Sequence, residues 1–182
     1  GPVSFMRGFD SFAGATDRVA MRKELERVAS RFLGTSVTGA AFLCTSGRYE
    51  FHNKGIDLLL DSLGMLNGRE GRPIVLFVLV PAGNSGVRAE LLERLRNVEA
   101  PANEPIGIST HNLFDVERDP VAERCAKLGF DNKLKSRVKV VHIPIYLTEK
   151  DGLLNRPYEA VARAMDLTCF PSFYEPWGST PQ

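Results

Sequence analysis

Apolar residues recur along this chain with two different periods, and the two patterns alternate. Long charged segments carry apolar residues three to four positions apart, which is the spacing of an α-helix with one buried face. Short, nearly unbroken apolar runs lie between them and are typical of parallel strands buried on both faces. The expected helices cover residues 17–32, 56–66, 87–98, 116–128 and 157–164. The expected strands cover residues 40–44, 73–80, 138–143 and 166–170.

The order of these elements predicts an α/β fold, a doubly wound parallel sheet of Rossmann type. Gly34 is expected to end the first helix, because glycine readily adopts the left-handed conformation that follows many last helical turns. Pro120 is expected near the true start of the fourth helix, since proline is favoured in a first turn. The Pro-rich segment 99–108 predicts a loop, and the pattern over 110–115 favours neither helix nor strand.

Composition narrows the classes of protein that fit this chain. Its 182 residues suit one domain with a sizeable core. A net charge of +1 gives no basic field for nucleic acid, and no apolar run approaches the roughly 20 residues of a membrane helix. The cysteines, Cys44, Cys125 and Cys169, are an odd and widely spaced set, which favours a reducing cytoplasm. No Cys and His cluster has metal-ligand spacing, so we expect no metal.

Two polar turns follow apolar runs, at the position where open α/β sheets bind their ligands. The first, Ser-Gly-Arg-Tyr-Glu-Phe-His-Asn-Lys-Gly over 46–55, contributes the cations Arg48 and Lys54. The second, Pro-Ser-Phe-Tyr-Glu-Pro-Trp-Gly-Ser-Thr-Pro over 171–181, contributes Glu175 beside a glycine and hydroxyl groups. One turn offers positive charge, and the other offers backbone donors and a carboxylate. Together they suit a phosphorylated sugar donor. Taken alone, the two cations are equally well explained as solvated loop charges, and Glu175 as a carboxylate that caps a helix.

The two turns closely resemble motifs of the glycogen synthases of the animal and fungal type. These are retaining glycosyltransferases built from two Rossmann-like domains, the GT-B fold. Segments 110–112 and 142–147 also resemble parts of that family, in the same order. The resemblance divides the chain into residues 1–35, an N-terminal segment with a lead-in helix, and 36–182, the C-terminal donor-binding domain truncated after the Glu-Pro-Trp-Gly motif. We therefore expect a piece of a longer protein.

The resemblance implies transfer of glucose from UDP-glucose to the non-reducing end of an α-1,4-glucan in the cytoplasm. Arg48 and Lys54 correspond to the pair that neutralises the donor diphosphate, so no metal or other cofactor is implied. Glu175 matches the first acid of a paired-glutamate motif and would lie near the transferred glucose. The second acid would follow Gln182, so the isolated fragment is expected to be inactive. The full-length protein is expected to be a homo-oligomer whose partners are a nucleotide sugar and a glucan, not nucleic acid or membrane.

The resemblance also implies a set of donor-binding residues that supply aromatic faces and backbone N–H groups: Tyr146, Tyr158, Trp177, Gly178, Ser179 and Thr180. Tyr158 and Tyr146 match aromatics on the uracil side of the donor. The residues from Gly178 to Thr180 match a turn whose N–H groups face the distal phosphate. Ser179 stands where many relatives carry an aromatic residue.

Other interpretations stay open at this point. Tyr158 and Tyr146 fit an ordinary core, and Trp177 fits packing in the wall of the site. His111 and Asn112 either line the cleft or cap a loop, and His142 is expected to be structural. The whole protein also fits a nucleotide-sugar-binding module without catalysis, or a GT-B glycosyltransferase that uses ADP-glucose or another acceptor.

Overall fold

The computed structural model describes residues 3–4, 12–47 and 54–171, and the side chains within 17–47 and 55–169. The strands of this part are β1 (Val3–Ser4), β2 (Ala41–Ser46), β3 (Ile74–Leu79), β4 (Asn84–Val87), β5 (His111–Leu113), β6 (Val138–His142) and β7 (Leu167–Pro171). The helices are α1 (Phe12–Leu33), α2 (Lys54–Asn67), α3 (Ala89–Arg96), α4 (Pro120–Leu128) and α5 (Tyr158–Arg163).

Four of these strands form a parallel sheet in the order β7-β2-β3-β6, and β1 adds to β7 in the antiparallel direction. The chain passes from β2 outward through β3 to β6 and then returns to place β7 on the other side of β2. The strand order therefore reverses between β2 and β7, and this reversal defines the switch point of a doubly wound fold. The predicted Rossmann-like α/β fold is confirmed.

Helices cover both faces of the sheet, and each face has its own apolar core. Buried residues of α1, α3 and α5 pack on one face, together with alternate strand residues such as Phe42 and Phe77. Buried residues of α2 and α4 pack on the other face, with strand residues such as Leu76 and Val140. Every residue of β3 is buried, which explains why its sequence is unbroken in apolar residues.

The ends of several helices follow the local sequence signals. Gly34 has a φ of +71° after the last turn of α1, and its N–H bonds to the carbonyl of Ser30, as expected for a glycine at this position. The fourth helix does begin at Pro120, and the Asp119 carboxylate accepts a hydrogen bond from the backbone N–H of Ala122 at 2.8 Å. The residues just before it, Val116–Arg118, form a separate 3-10 turn.

The apolar pattern did not predict the ribbon of β4 and β5, nor did it predict the short strand β1. The two strands pair in the antiparallel direction, with Asn84 opposite Leu113 and Val87 opposite His111. They have four and three residues, too few to show a period in the sequence. Because Val87 belongs to β4, the third helix begins at Ala89 and not at residue 87.

Candidate functional site

Most of the predicted phosphate-binding and catalytic residues lie outside the described part of the chain: Arg48, Glu175, Trp177, Gly178, Ser179 and Thr180. Lys54 is the first residue of α2, and its side chain is also outside the described set. The described residues that bear on the site are Tyr146, Tyr158, the histidines and the strand ends at the switch point. The strand ends fix where the two motif turns begin, and the tyrosines and histidines lie around the proposed site.

The two motif turns begin side by side at the switch point. β2 ends at Ser46 and the parallel strand β7 ends at Pro171, and Thr45 of one strand is paired with Cys169 of the other. The first turn therefore leaves the carboxyl end of β2 beside the point where the second leaves β7. α2 follows β2 and so begins at the same edge, where its first N–H groups have no partner within the helix. This edge is where open α/β sheets bind ligands.

Tyr158 is anchored at this edge by a hydrogen bond to the first motif turn. It is the first residue of α5, which runs back along the sheet to β7, so its position lies at the carboxyl end of the strands. Ser46 Oγ donates a hydrogen bond to Tyr158 Oη, with the oxygens 3.1 Å apart. The ring is half-buried against the core on the α1, α3 and α5 face. Desolvation raises the pKa of the Tyr158 phenol, although the Ser46 hydrogen bond opposes that rise, so the group stays neutral at physiological pH.

Tyr146 is the second predicted aromatic, and it lies on the surface at the same edge of the sheet. It is 72% exposed, which excludes the interpretation of this residue as ordinary core. It lines a shallow groove of about 400 Å³ between residues 81–84, which follow β3, and residues 144–146, which follow β6. The Asn84 side chain ties these two loops together by donating to the carbonyl oxygens of Ala82 and Pro144.

The two described histidines are buried and neutral. His142 is fully buried, its Nε2 lies 2.9 Å from the Val80 carbonyl oxygen, and burial lowers its pKa, so the structural role expected for it is confirmed. His111 lies in the β4–β5 ribbon with its Nδ1 2.8 Å from Thr110 Oγ1. Burial lowers the pKa of His111 to about 4. It therefore carries no positive charge near neutral pH. Its neighbour Asn112 is exposed.

A larger hollow, of about 500 Å³, opens at the opposite end of the sheet, near the amino ends of β3 and β6. Arg137 and Lys139 are among its lining residues, but backbone carbonyls hold both of them. Arg137 donates to the carbonyl oxygens of Arg72, Leu66 and Arg69, and Lys139 donates to carbonyls of its own loop. These cations hold loops together, and the hollow is far from the edge where the motif turns begin.

The described residues form neither a metal-binding cluster nor a membrane-spanning helix. Within ranges 12–47 and 54–171, no three His, Cys, Asp or Glu side chains come together in a way that could hold a metal ion. None of the helices described here is long and apolar enough to cross a membrane.

Comparison with known proteins then decides the family. The sequence model of the family described as glycogen synthase matches residues 92–182, half of the chain. The chain belongs to the glycogen synthase family. The match includes both predicted aromatics, Tyr146 and Tyr158, and the whole of the second motif turn. The first turn, residues 46–55, lies before the matched range.

Individual glycogen synthases are similar over a larger part of the chain. The human liver glycogen [starch] synthase is 29% identical over an alignment that covers 77% of this chain and 27% of the human protein. The Caenorhabditis elegans enzyme is also 29% identical, with 77% of this chain and 29% of the relative covered. The Neurospora crassa enzyme is 26% identical, with coverages of 77% and 28%. The chain thus spans less than a third of the length of these glycogen synthases.

Sequence reasoning missed one residue of the site, Ser46 as the partner of Tyr158. Ser46 opens the first motif turn, but its bonding partner lies 112 positions away, and no local pattern links the two. The pairing of β2 with β7, the strand that follows α5, helps to bring the start of α5 to the end of β2. The sequence gives one hint of this contact: Tyr158 is the first residue of a helix that begins at the carboxyl edge of the sheet.

Proposed function

We propose that this chain is the donor-binding domain of a glycogen synthase-like retaining glucosyltransferase. The proposed reaction moves glucose from UDP-glucose to the non-reducing end of an α-1,4-glucan. One observation carries the proposal: the two segments that resemble family motifs begin at the ends of β2 and β7, which are neighbouring strands at the switch point. Tyr158 is hydrogen-bonded to Ser46 at the same edge of the sheet. A nucleotide sugar has a phosphate end and a base end, and this arrangement offers a partner for each.

The first part of the proposal concerns the diphosphate. Arg48 follows the last residue of β2 by two positions in the sequence, and Lys54 begins α2. These two cations would neutralise the two phosphates of UDP-glucose. Negative charge grows on the diphosphate as the bond to glucose breaks, so fixed cations stabilise the transition state more than the bound substrate. The start of α2 would add its unpaired N–H groups. The proposal includes no metal ion, because the two cations supply the needed charge.

The second part concerns the base. Tyr158 and Tyr146 would contact the uracil, and stacking of a base on an aromatic ring contributes about 1–3 kcal/mol. The exposure of Tyr146 and the partial exposure of Tyr158 at the same edge of the sheet support this role. Stacking by itself does not distinguish uracil from adenine, so ADP-glucose is the alternative donor that the experiments must compare.

The third part concerns the sugar and the rest of the protein. Glu175 would lie beside the transferred glucose, while the turn from Gly178 to Thr180 would donate backbone N–H groups to the distal phosphate, with Trp177 in the wall of the site. A second domain would bring the glucan and close over the donor, which excludes water from the reaction. We therefore expect this chain alone to be inactive. As the family resemblance implies, we also expect the whole protein to act in the cytoplasm as a homo-oligomer.

Incorporation of labelled glucose into glycogen tests this function, in the protein with its natural flanking sequence. We expect incorporation from UDP-glucose and a loss of at least about 100-fold for Glu175→Gln, because a group that acts in the transition state contributes several kcal/mol. Glu149→Gln is the matched control, since Glu149 is exposed on the loop after β6. If glucose is incorporated from ADP-glucose and not from UDP-glucose, the proposed donor is wrong. If the Glu175→Gln variant remains fully active, the proposed role of Glu175 is wrong.

A further inference from the structure

The hydrogen bond between Ser46 and Tyr158 joins the two ends of the proposed donor site. Ser46 is the last residue of β2 and directly precedes Gly47 and Arg48, whereas Tyr158 begins α5. We infer that Ser46 is a positioning residue that fixes the Tyr158 ring for stacking on the nucleobase. This inference deepens the proposed function and rests on it.

Both partners of this hydrogen bond are attached to well-supported backbone. Ser46 is paired with Leu79 of β3 in the parallel sheet, so its Cα has little freedom. Tyr158 follows Pro157, which stands at the N-cap with a φ of −68°, and the Pro157 carbonyl accepts the N–H groups of Ala160 and Val161. A hydroxyl on a paired strand thus holds a hydroxyl on the first turn of a helix.

The hydrogen bond also supplies what the rest of the Tyr158 environment lacks. The ring packs against the core on one side, while the residue as a whole remains partly exposed. A hydrogen bond to the phenol oxygen holds the far end of the ring and so restricts rotation about χ1, which moves the ring as a whole. Rotation about χ2 leaves the phenol oxygen in place, and the packing of the ring against the core limits it. A ring already in place loses less conformational freedom when a base stacks on it.

A purely structural hydrogen bond would satisfy the half-buried phenol and do nothing else. The two interpretations differ in what they predict for ligands with and without a base. If Ser46 orients the stacking ring, its loss weakens the binding of UDP and leaves the binding of pyrophosphate unchanged, because pyrophosphate has no base to stack on the ring. If Ser46 only supports the fold or shapes the phosphate-binding turn, its loss changes both ligands equally or neither.

The experiment is a double-mutant cycle on the protein with its natural flanking sequence, with UDP and pyrophosphate titrated calorimetrically. Ser46→Ala and Tyr158→Phe remove the same hydrogen bond from opposite sides, and Tyr158→Phe keeps the aromatic face. We expect each to weaken UDP binding by about 2- to 10-fold, the usual effect of one neutral hydrogen bond. We expect the double variant to be no weaker than either single one, and pyrophosphate binding to be unchanged. Ser62→Ala is the control, since the Ser62 hydroxyl bonds within α2, and it should leave UDP binding unchanged.

Three results would overturn the inference. The first is unchanged UDP binding in both Ser46→Ala and Tyr158→Phe, the second is multiplication of their separate effects in the double variant, and the third is an equal loss of pyrophosphate affinity. Tyr158→Ala separates this failure from failure of the proposed function. If Tyr158→Ala weakens UDP by about 10-fold or more while the hydrogen-bond variants do not, the ring binds the base without help from Ser46. If Tyr158→Ala has no effect on UDP, the proposed base contact and the inference both fail.

Discussion

The side chain of Asn132 takes the place of a neighbouring strand at the edge of the sheet, and replacing it should cost much of the stability of the fold. β6 is the last strand of the described sheet on that side. Asn132 is fully buried; its Nδ2 donates to the carbonyls of Val140 and Gly107, and its Oδ1 accepts the Val140 N–H, each at 2.8 Å. The amide thereby makes with Val140 the two bonds that an adjacent strand would make.

The magnitude follows from these three bonds and from the backbone. Asn132→Ala would leave one N–H and two carbonyl groups without partners in a buried place, and each such group costs about 1–3 kcal/mol. Asn132 has a φ of +57°, and alanine is less favourable there by about 1–2 kcal/mol. Entry of water into the vacated space offsets part of this loss. We expect the free energy of unfolding to fall by about 3–5 kcal/mol, a large share of the stability of a typical domain.

Asn155 provides a matched control for the backbone contribution. It has a nearly equal φ of +54°, but it is exposed, and among the described residues its Oδ1 accepts one hydrogen bond, from the Gly152 N–H at 2.9 Å. Asn155→Ala should therefore lower the free energy of unfolding by about 1–2 kcal/mol. The difference between the two variants, about 2–3 kcal/mol, measures the buried hydrogen bonds of Asn132.

Urea denaturation followed by far-ultraviolet circular dichroism at pH 7 measures both losses on one scale. Unchanged m values would show that the variants unfold from the same native state. Losses that agree within about 0.5 kcal/mol would refute the interpretation of Asn132 as a substitute strand partner.

Three further predictions concern other parts of the fold. Gly34→Ala should lower the free energy of unfolding by about 2–4 kcal/mol, because Gly34 has a φ of +71° and the new Cβ would lie 2.4 Å from backbone atoms of Glu104. Gly39→Ala is the control: Gly39 has a φ of +81° but open space around it, so this variant should cost about 1 kcal/mol. Equal losses on urea denaturation would contradict the packing argument. Because burial lowers the pKa of His111 to about 4, the unfolded state binds more protons as the pH falls from 6.5 towards 4, and stability should fall over that window. His111→Gln should reduce the loss between pH 7 and pH 5 by about 1–2 kcal/mol, and an unaltered pH dependence would show that His111 does not titrate as described. Asp119→Ala should lower the free energy of unfolding by about 1 kcal/mol, and Asp119→Asn by only a few tenths, because asparagine also accepts a hydrogen bond at the start of α4. Equal losses of stability in thermal unfolding would exclude the capping role.

The main sheet was predictable because its strands are buried on both faces. A strand such as Ile74–Leu79 has no polar position, and the charged helices on either side of it have a clear period. The ribbon of β4 and β5 was not predictable, because each strand is too short to show a period and its partner is distant in sequence. The contact of Asn132 was not predictable either, because nothing around it in the sequence shows that its amide bonds to the edge of β6.

The candidate site was predictable in part, for a different reason. The motif turns were found from residue types and from their resemblance to a family, and the fold then showed that they leave the sheet from adjacent strands. The bond between Ser46 and Tyr158 depends on the tertiary arrangement of β2 and α5 and could not be found from the sequence. His111 was ambiguous because burial, which the sequence around it does not reveal, decides its charge.

The central claim is that the turn after β2 binds the diphosphate of a uridine nucleotide sugar. Calorimetric titration of UDP and ADP into the protein with its natural flanking sequence tests it most directly, with Arg48→Ala compared with Arg118→Ala. Arg118 has an 88% exposed side chain and serves as the matched control. We predict that UDP binds more tightly than ADP, and that Arg48→Ala weakens UDP by about 10- to 100-fold, as expected for a charge-assisted phosphate contact, while Arg118→Ala changes nothing. Equal UDP affinity in the two variants, both folded, would contradict the account.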